Sequence, residues 1–111
     1  MRAGDVVRVD FGIPAGSEPG FNRPAVVVTA DGVLAHRPRT IHVVPVTSNV
    51  GRALPTEVVV SAPGLPIDAA AQCHLCTVVS IERLNGHEYG TVGVAALAQL
   101  RSVLADLLDI G

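Results

Sequence analysis

The 111-residue sequence has no tryptophan, one tyrosine, two phenylalanines and two cysteines, and its eight basic residues are all arginine. Charged residues make up 16% of the chain, against roughly 25% in an average soluble domain. The longest uninterrupted apolar run, Val94 to Ala98, is five residues, far short of the ~20 that a membrane-spanning helix needs, so no membrane partner is expected. Asp5, Arg8 and Asp10 occupy the stretch where a signal peptide needs an apolar core, which makes a cytoplasmic location the expectation. Two cysteines are too few for the disulfide framework of a secreted domain. GxGxxG, P-loop, HExxH and clustered-carboxylate patterns are all missing. Neither a cofactor nor a metal is therefore expected, which leaves cofactor-free chemistry or pure binding.

What is present is 49% hydrophobic, which excludes disorder. The length fits one domain over residues 1–111 with a thin core. So few charges suggest apolar surface covered by another subunit. The net charge of −2, taken alone, argues against nucleic acid. It hides a split, however. Residues 1–55 hold six arginines against four acids, or +2, and residues 56–111 hold two against six, or −4. A face built from the first half would attract a phosphate backbone.

Short β-type runs fill the first 80 residues. Asp5 to Asp10 alternates, with Val7, Val9 and Phe11 on one face. Ala25–Ala30, Ile41–Thr47, Glu57–Ser61, Ala70–Ile81 and Glu88–Val92 read as further strands, with Pro45 demoting part of its run to an edge or bulge. Gly12 to Asn22 is an eleven-residue connection with three glycines and two prolines, and loops of that length are often functional. Two more loops, Asp31–Thr40 with Arg37 and Arg39, and Ser48–Thr56 with Arg52, would complete a basic rim. Leu97, Leu100, Leu104, Leu107 and Leu108 recur at helical spacing, which predicts one amphipathic helix from about Val94 to Asp109. The expected architecture is mainly β, a small twisted barrel or half-barrel closed by that helix.

Cys73-His74-Leu75-Cys76 has redox or zinc spacing, but its flanks read as strand. There, residues three apart face opposite ways with Cα atoms ~10 Å apart. His36, His42 and His87 supply no spaced pair of zinc ligands. Buried small hydrophobes is the reading for both cysteines. The segments Gly16 to Pro24 and Val44 to Asn49 carry more information. Glycines let the first fold tightly, and Pro24 sets extended backbone after Arg23, a position suited to bidentate phosphate recognition. The second ends a β-branched run in Thr47, Ser48 and Asn49, short polar groups at a strand end. The same residues also read as a structural turn arginine and a Thr-Ser-Asn turn signal, and the pattern alone does not choose.

At these residues the chain resembles the MazF/PemK family of bacterial toxin endoribonucleases. Gly4 to Phe11 resembles its first strand. Gly16-Ser17-Glu18, Gly20 and Arg23-Pro24-Ala25-Val26-Val27 resemble its G-S-E-x-G-x-x-R-P-x-V-V signature, and Val44 to Asn49 its V-P-x-T-S strand end. Leu54 to Val58, Gly64 to Asp68 and Ile81 to Leu84 match later segments in order. The resemblance implies an SH3-like β-barrel with a C-terminal helix, acting as a homodimer. It also implies metal-independent, sequence-specific cleavage of single-stranded RNA, inhibiting translation and growth, under control of a cognate antitoxin with an acidic, partly disordered segment.

By that resemblance the catalytic residues fall on Arg23 and Thr47, with Glu18 a candidate base. RNA contacts are expected from the loops through Ser17, Gly20, Asn22, Arg37, Arg39, Ser48, Asn49 and Arg52. Such cleavage uses the substrate's own 2′-hydroxyl as nucleophile, which discriminates against DNA. Arg23 would supply charge and a proton at the phosphate, Thr47 an oriented hydroxyl. One departure stands out. Where the family usually reads E/D-Q-I-R-T-V, this chain has His74-Leu75-Cys76-Thr77-Val78-Val79, so a Gln position is Leu75 and a basic position is Thr77. The rival reading is a non-catalytic toxin or binding module on the same barrel that inhibits a protein such as DNA gyrase; the pair Arg23 and Thr47 favours the nuclease.

Overall fold

The computed structural model describes residues 1–48 and 54–111. Among the described residues, seven strands, β1 (Asp5–Asp10), β2 (Asn22–Val27), β3 (Thr40–Thr47), β4 (Glu57–Val59), β5 (Ala70–Gln72), β6 (Thr77–Ser80) and β7 (Leu84–Thr91), precede a closing helix. A one-turn helix α1 (Asp31–Leu34) interrupts the stretch read as loop, and α2 (Val94–Leu108) ends the chain as its leucine period predicts. The strands pair antiparallel in the order β4-β5-β3-β2-β1-β7, with β6 also on β3. The result is a curled half-barrel. Register shifts between β1 and β7 mark where the sheet bends.

Valines on both sides of the strands reflect burial of both sheet faces. Val6, Val26, Val44, Val46, Val58 and Ala71 pack with the fully buried Leu100 of α2. Val7, Val9, Ala25, Val27, Ile41, Val43 and Val79 form the second core, joined by Phe11 and Leu84. The predicted stripe of α2 is only partly covered: Leu104 packs on the first core, whereas Leu107 and Leu108 are exposed.

Three expectations need correction. The run Ala70–Ile81 is not one strand. It breaks into β5 and β6 around a 3-10 turn, Cys73–Leu75. Pro45 lies fully buried in the central strand, not at an edge. On the edge of β3 shared by β6 and β5, pairing covers Thr40 to Val43 and then Val46 to Thr47, so the missing N–H falls in the gap between partners. β2 begins at Asn22, which puts Arg23 inside the strand opposite Val9.

Candidate active site

Ala25 pairs with Pro45, Val26 with Val44 and Val27 with Val43. Carried one two-residue step further, the same register sets Arg23 across from Thr47. Directly opposed residues of an antiparallel ladder project from the same face. Pro24 lacks an N–H, so the β2–β3 ladder opens at this end. The opening is a pocket of about 290 Å³ lined by Arg23, Pro24, Val46, Thr47, Ser48, Leu65, Pro66 and Ala69. The half-buried Arg23 donates from Nη2 to Oε1 of Gln72 at 3.1 Å. Gln72 stands on β5 two residues beyond Ala70, the partner of Thr47.

The loop over residues 12–21 is closed at its neck by two backbone hydrogen bonds. Phe11 N–H donates to the Phe21 carbonyl at 2.8 Å, and Phe21 N–H to the Gly12 carbonyl at 2.6 Å. A Cβ on Gly20 would lie 2.4 Å from Cδ of Pro14, so glycine is what lets the loop fold back on the proline ring. That gives Gly20 a packing role. The loop tip brings Ser17, Glu18 and Pro19 beside Leu75, Cys76 and Thr77 around a hollow of about 380 Å³. Glu18 also borders a smaller one with Phe11, Thr77, Val79 and Arg83. Glu18 thus lines different hollows from Arg23 and Thr47.

The other expected site residues separate. Ser48 lines the Arg23–Thr47 pocket. Asn22 is exposed and its Oδ1 accepts from Nδ2 of Asn85, linking β2 to β7. Arg37 and Arg39 are exposed before the start of β3, seven strand steps, or about 23 Å, from Thr47. The expected single basic rim is therefore incorrect. The loops after β1 and β3 share one end of the sheet and the loop between β2 and β3 lies at the other. Asn49 and Arg52 lie outside the described residues. Two residues were missed. Gln72 is a single amide in the run Ala69-Ala70-Ala71-Gln72-Cys73, and that isolation is its only sequence signal. Arg83 donates from Nη1 to the Asp10 carbonyl at 3.3 Å and borders the smaller Glu18 hollow.

The turn Cys73–Leu75 replaces the strand geometry expected of the cysteines. Cys76 N–H donates to the Cys73 carbonyl at 3.1 Å, so the two lie on one side of a tight turn. Both are free thiols. Burial, and secondarily the neighbouring Cys76, push the Cys73 thiol up to about 11, and burial raises Cys76 too. This is the chemistry of buried apolar thiols. His74 Nδ1 shares a 2.9 Å hydrogen bond with Thr56 Oγ1. His42 and His74 border one apolar groove of about 630 Å³ with Val78, Leu104, Leu107 and Leu108. Among the described residues, no group of three or more His, Cys, Asp or Glu is placed to hold a metal ion, and no helix is long and apolar enough to cross a membrane.

A family model for the PemK-like, MazF-like toxin of type II toxin-antitoxin systems matches residues 2–108. The chain belongs to the PemK/MazF toxin family. It is 40% identical to Endoribonuclease MazF9 of Mycobacterium tuberculosis, over 99% of this chain and 98% of that one. The crystal structure of MazF from Deinococcus radiodurans superposes with a TM-score of 0.83 at 25% identity, covering 99% of this chain and 97% of that one. A mycobacterial endoribonuclease in complex with its cognate antitoxin has the same fold, with a TM-score of 0.78 at 22% identity, covering 100% of this chain and 97% of that one. Within the PemK/MazF frame, the positions where this chain departs from the usual pattern, Leu75 and Thr77, border the hollow beside Glu18 and not the Arg23–Thr47 pocket.

Proposed function

We propose that this PemK/MazF toxin is a sequence-specific endoribonuclease that cuts single-stranded RNA without a metal ion, stopping translation and growth. The observation that carries the reading is the convergence of Arg23 and Thr47 on one pocket. In the reaction the substrate's 2′-oxygen bonds to phosphorus as its proton leaves. The P–O5′ bond then breaks and the 5′-oxygen takes up a proton, giving a 2′,3′-cyclic phosphate and a 5′-hydroxyl. Negative charge grows on the phosphoryl oxygens in the transition state, and a planar arginine fork with an oriented hydroxyl opposes it. Arg23 supplies the charge and N–H donors; Thr47 supplies the hydroxyl.

Ser48 in the pocket and Ser17 at the loop tip are assigned to RNA contacts, with Gly20 shaping the loop. Glu18 on the same loop is assigned to the 2′-proton, and loss of cleavage in Glu18→Gln with RNA binding retained is the test. Asn22, Arg37 and Arg39 are exposed and are assigned to more distant parts of a longer RNA; Asn49 and Arg52 follow Thr47 and Ser48 in sequence and are assigned with them. The exposed Val78, Leu107 and Leu108 around the apolar groove support protein partners, a second copy of the chain and a cognate antitoxin with an acidic disordered segment.

The purified protein is incubated in EDTA with single-stranded RNA and with DNA of the same sequence. RNA fragments ending in 2′,3′-cyclic phosphate and 5′-hydroxyl, with intact DNA, are expected. Growth arrest on expression with RNA intact overturns the reading and favours a non-catalytic inhibitor of a protein such as DNA gyrase.

A further inference from the structure

We infer that Gln72 is a positioning residue for the cleavage reaction, holding the Arg23 guanidinium over the pocket through its neutral amide oxygen; this rests on the endoribonuclease reading above. Three observations converge on it. Arg23 Nη2 donates to Gln72 Oε1 at 3.1 Å, across 49 residues of sequence and in a partly buried setting. Gln72 is the one polar side chain on a strand segment whose neighbours Ala69, Ala70, Ala71 and Cys73 are all buried. Packing at that place would be served by an apolar residue, and an amide there needs a partner to offset its desolvation. The third observation is topological. Arg23 on β2 and Gln72 on β5 flank β3 from opposite sides, so their bond links strands two spacings, about 9.6 Å, apart.

The chemistry of the acceptor matters as much as its place. A free arginine side chain loses rotamer freedom when fixed on a ligand. A bond that already fixes the guanidinium removes much of that loss before RNA arrives. A carboxylate in this position would also fix it, but would neutralise the charge meant for phosphate. The amide uses one of the five N–H donors and leaves the full positive charge. The nearest carboxylate in register, Glu57 opposite Gln72 on β4, is engaged by the Leu54 N–H at 3.0 Å.

Cleavage kinetics of Gln72→Leu and Gln72→Glu, with thermal unfolding of each, test the inference. Gln72→Leu keeps volume and removes the acceptor: kcat falls about tenfold, equivalent to about 1.4 kcal/mol, with KM near wild type and the protein folded. Gln72→Glu keeps the acceptor but neutralises the charge: the Arg23 guanidinium stays fixed while kcat falls and KM for RNA rises. Wild-type kcat per folded molecule in Gln72→Leu, or undiminished kcat in Gln72→Glu, overturns the inference. Arg23 guanidinium N–H resonances read the bond without activity. They are slowed in rotation in the wild type and averaged in Gln72→Leu; averaged resonances in the wild type overturn the positioning role. A wild type that leaves RNA intact but shows slowed Arg23 resonances removes the endoribonuclease reading, and with it any role in cleavage.

Discussion

Arg23 and Thr47 line one pocket at the ends of β2 and β3, two residues beyond the last registered pair of those strands, Ala25–Pro45. Neither residue is held near the other by local sequence; the register of two strands brings them together. Pro24 strips a donor from β2 just where its ladder with β3 ends. The same feature that stops the sheet opens the pocket.

Gly20→Ala is expected to lower RNA cleavage with little change in unfolding midpoint. An added Cβ meets the Pro14 ring at 2.4 Å, and the surface loop refolds to relieve the overlap. Both hydrophobic cores lie elsewhere, so urea unfolding and cleavage rate measured side by side separate the two effects.

The two ends of α2 respond differently to truncation. Leu100 is fully buried, and Leu100→Ala is expected to lose about 2–5 kcal/mol in denaturant titration. Leu108 is 66% exposed, and in an isolated chain Leu108→Ala changes stability by under about 0.5 kcal/mol. A second chain on this helix end gives Leu108→Ala a larger loss that grows with protein concentration. Titrations at several concentrations distinguish the cases.

Stability should fall with pH in a defined window set by Cys73. Its thiol rises from 9.0 to about 11 on folding. Below the lower value the thiol is neutral in both states and its burial contributes in full. Between the two values only the unfolded chain ionises, so stability declines, by on the order of 2 kcal/mol. Cys76, also raised by burial, acts in the same direction. Urea unfolding from pH 8 to 11 checks this, and Cys73→Ala should flatten the curve.

β1 and α2 were legible in the sequence through periods of two and of 3.6, and β3 through its run of β-branched residues. The start of β2 was not. Asn22-Arg23-Pro24 has turn composition, yet Asp10, Val9 and Arg8 pair with those three residues in order and draw them into the sheet. The break between β5 and β6 was hidden for a similar reason. β-branched residues follow it in β6, but the register against β3 slips by three residues between the two strands, and the turn Cys73–Leu75 absorbs them. Arg23 and Thr47 stood out through motif and residue type. Gln72 did not, since its meaning comes only from a partner 49 residues away.

The most direct test compares wild type, Arg23→Ala and Thr47→Ala, each shown folded by unfolding midpoint, on total RNA in EDTA. Fragmentation by the wild type and a drop of at least about 10² in rate in each variant is the expected result. Undiminished cleavage in either folded variant would contradict the assignment of that pocket as the catalytic centre.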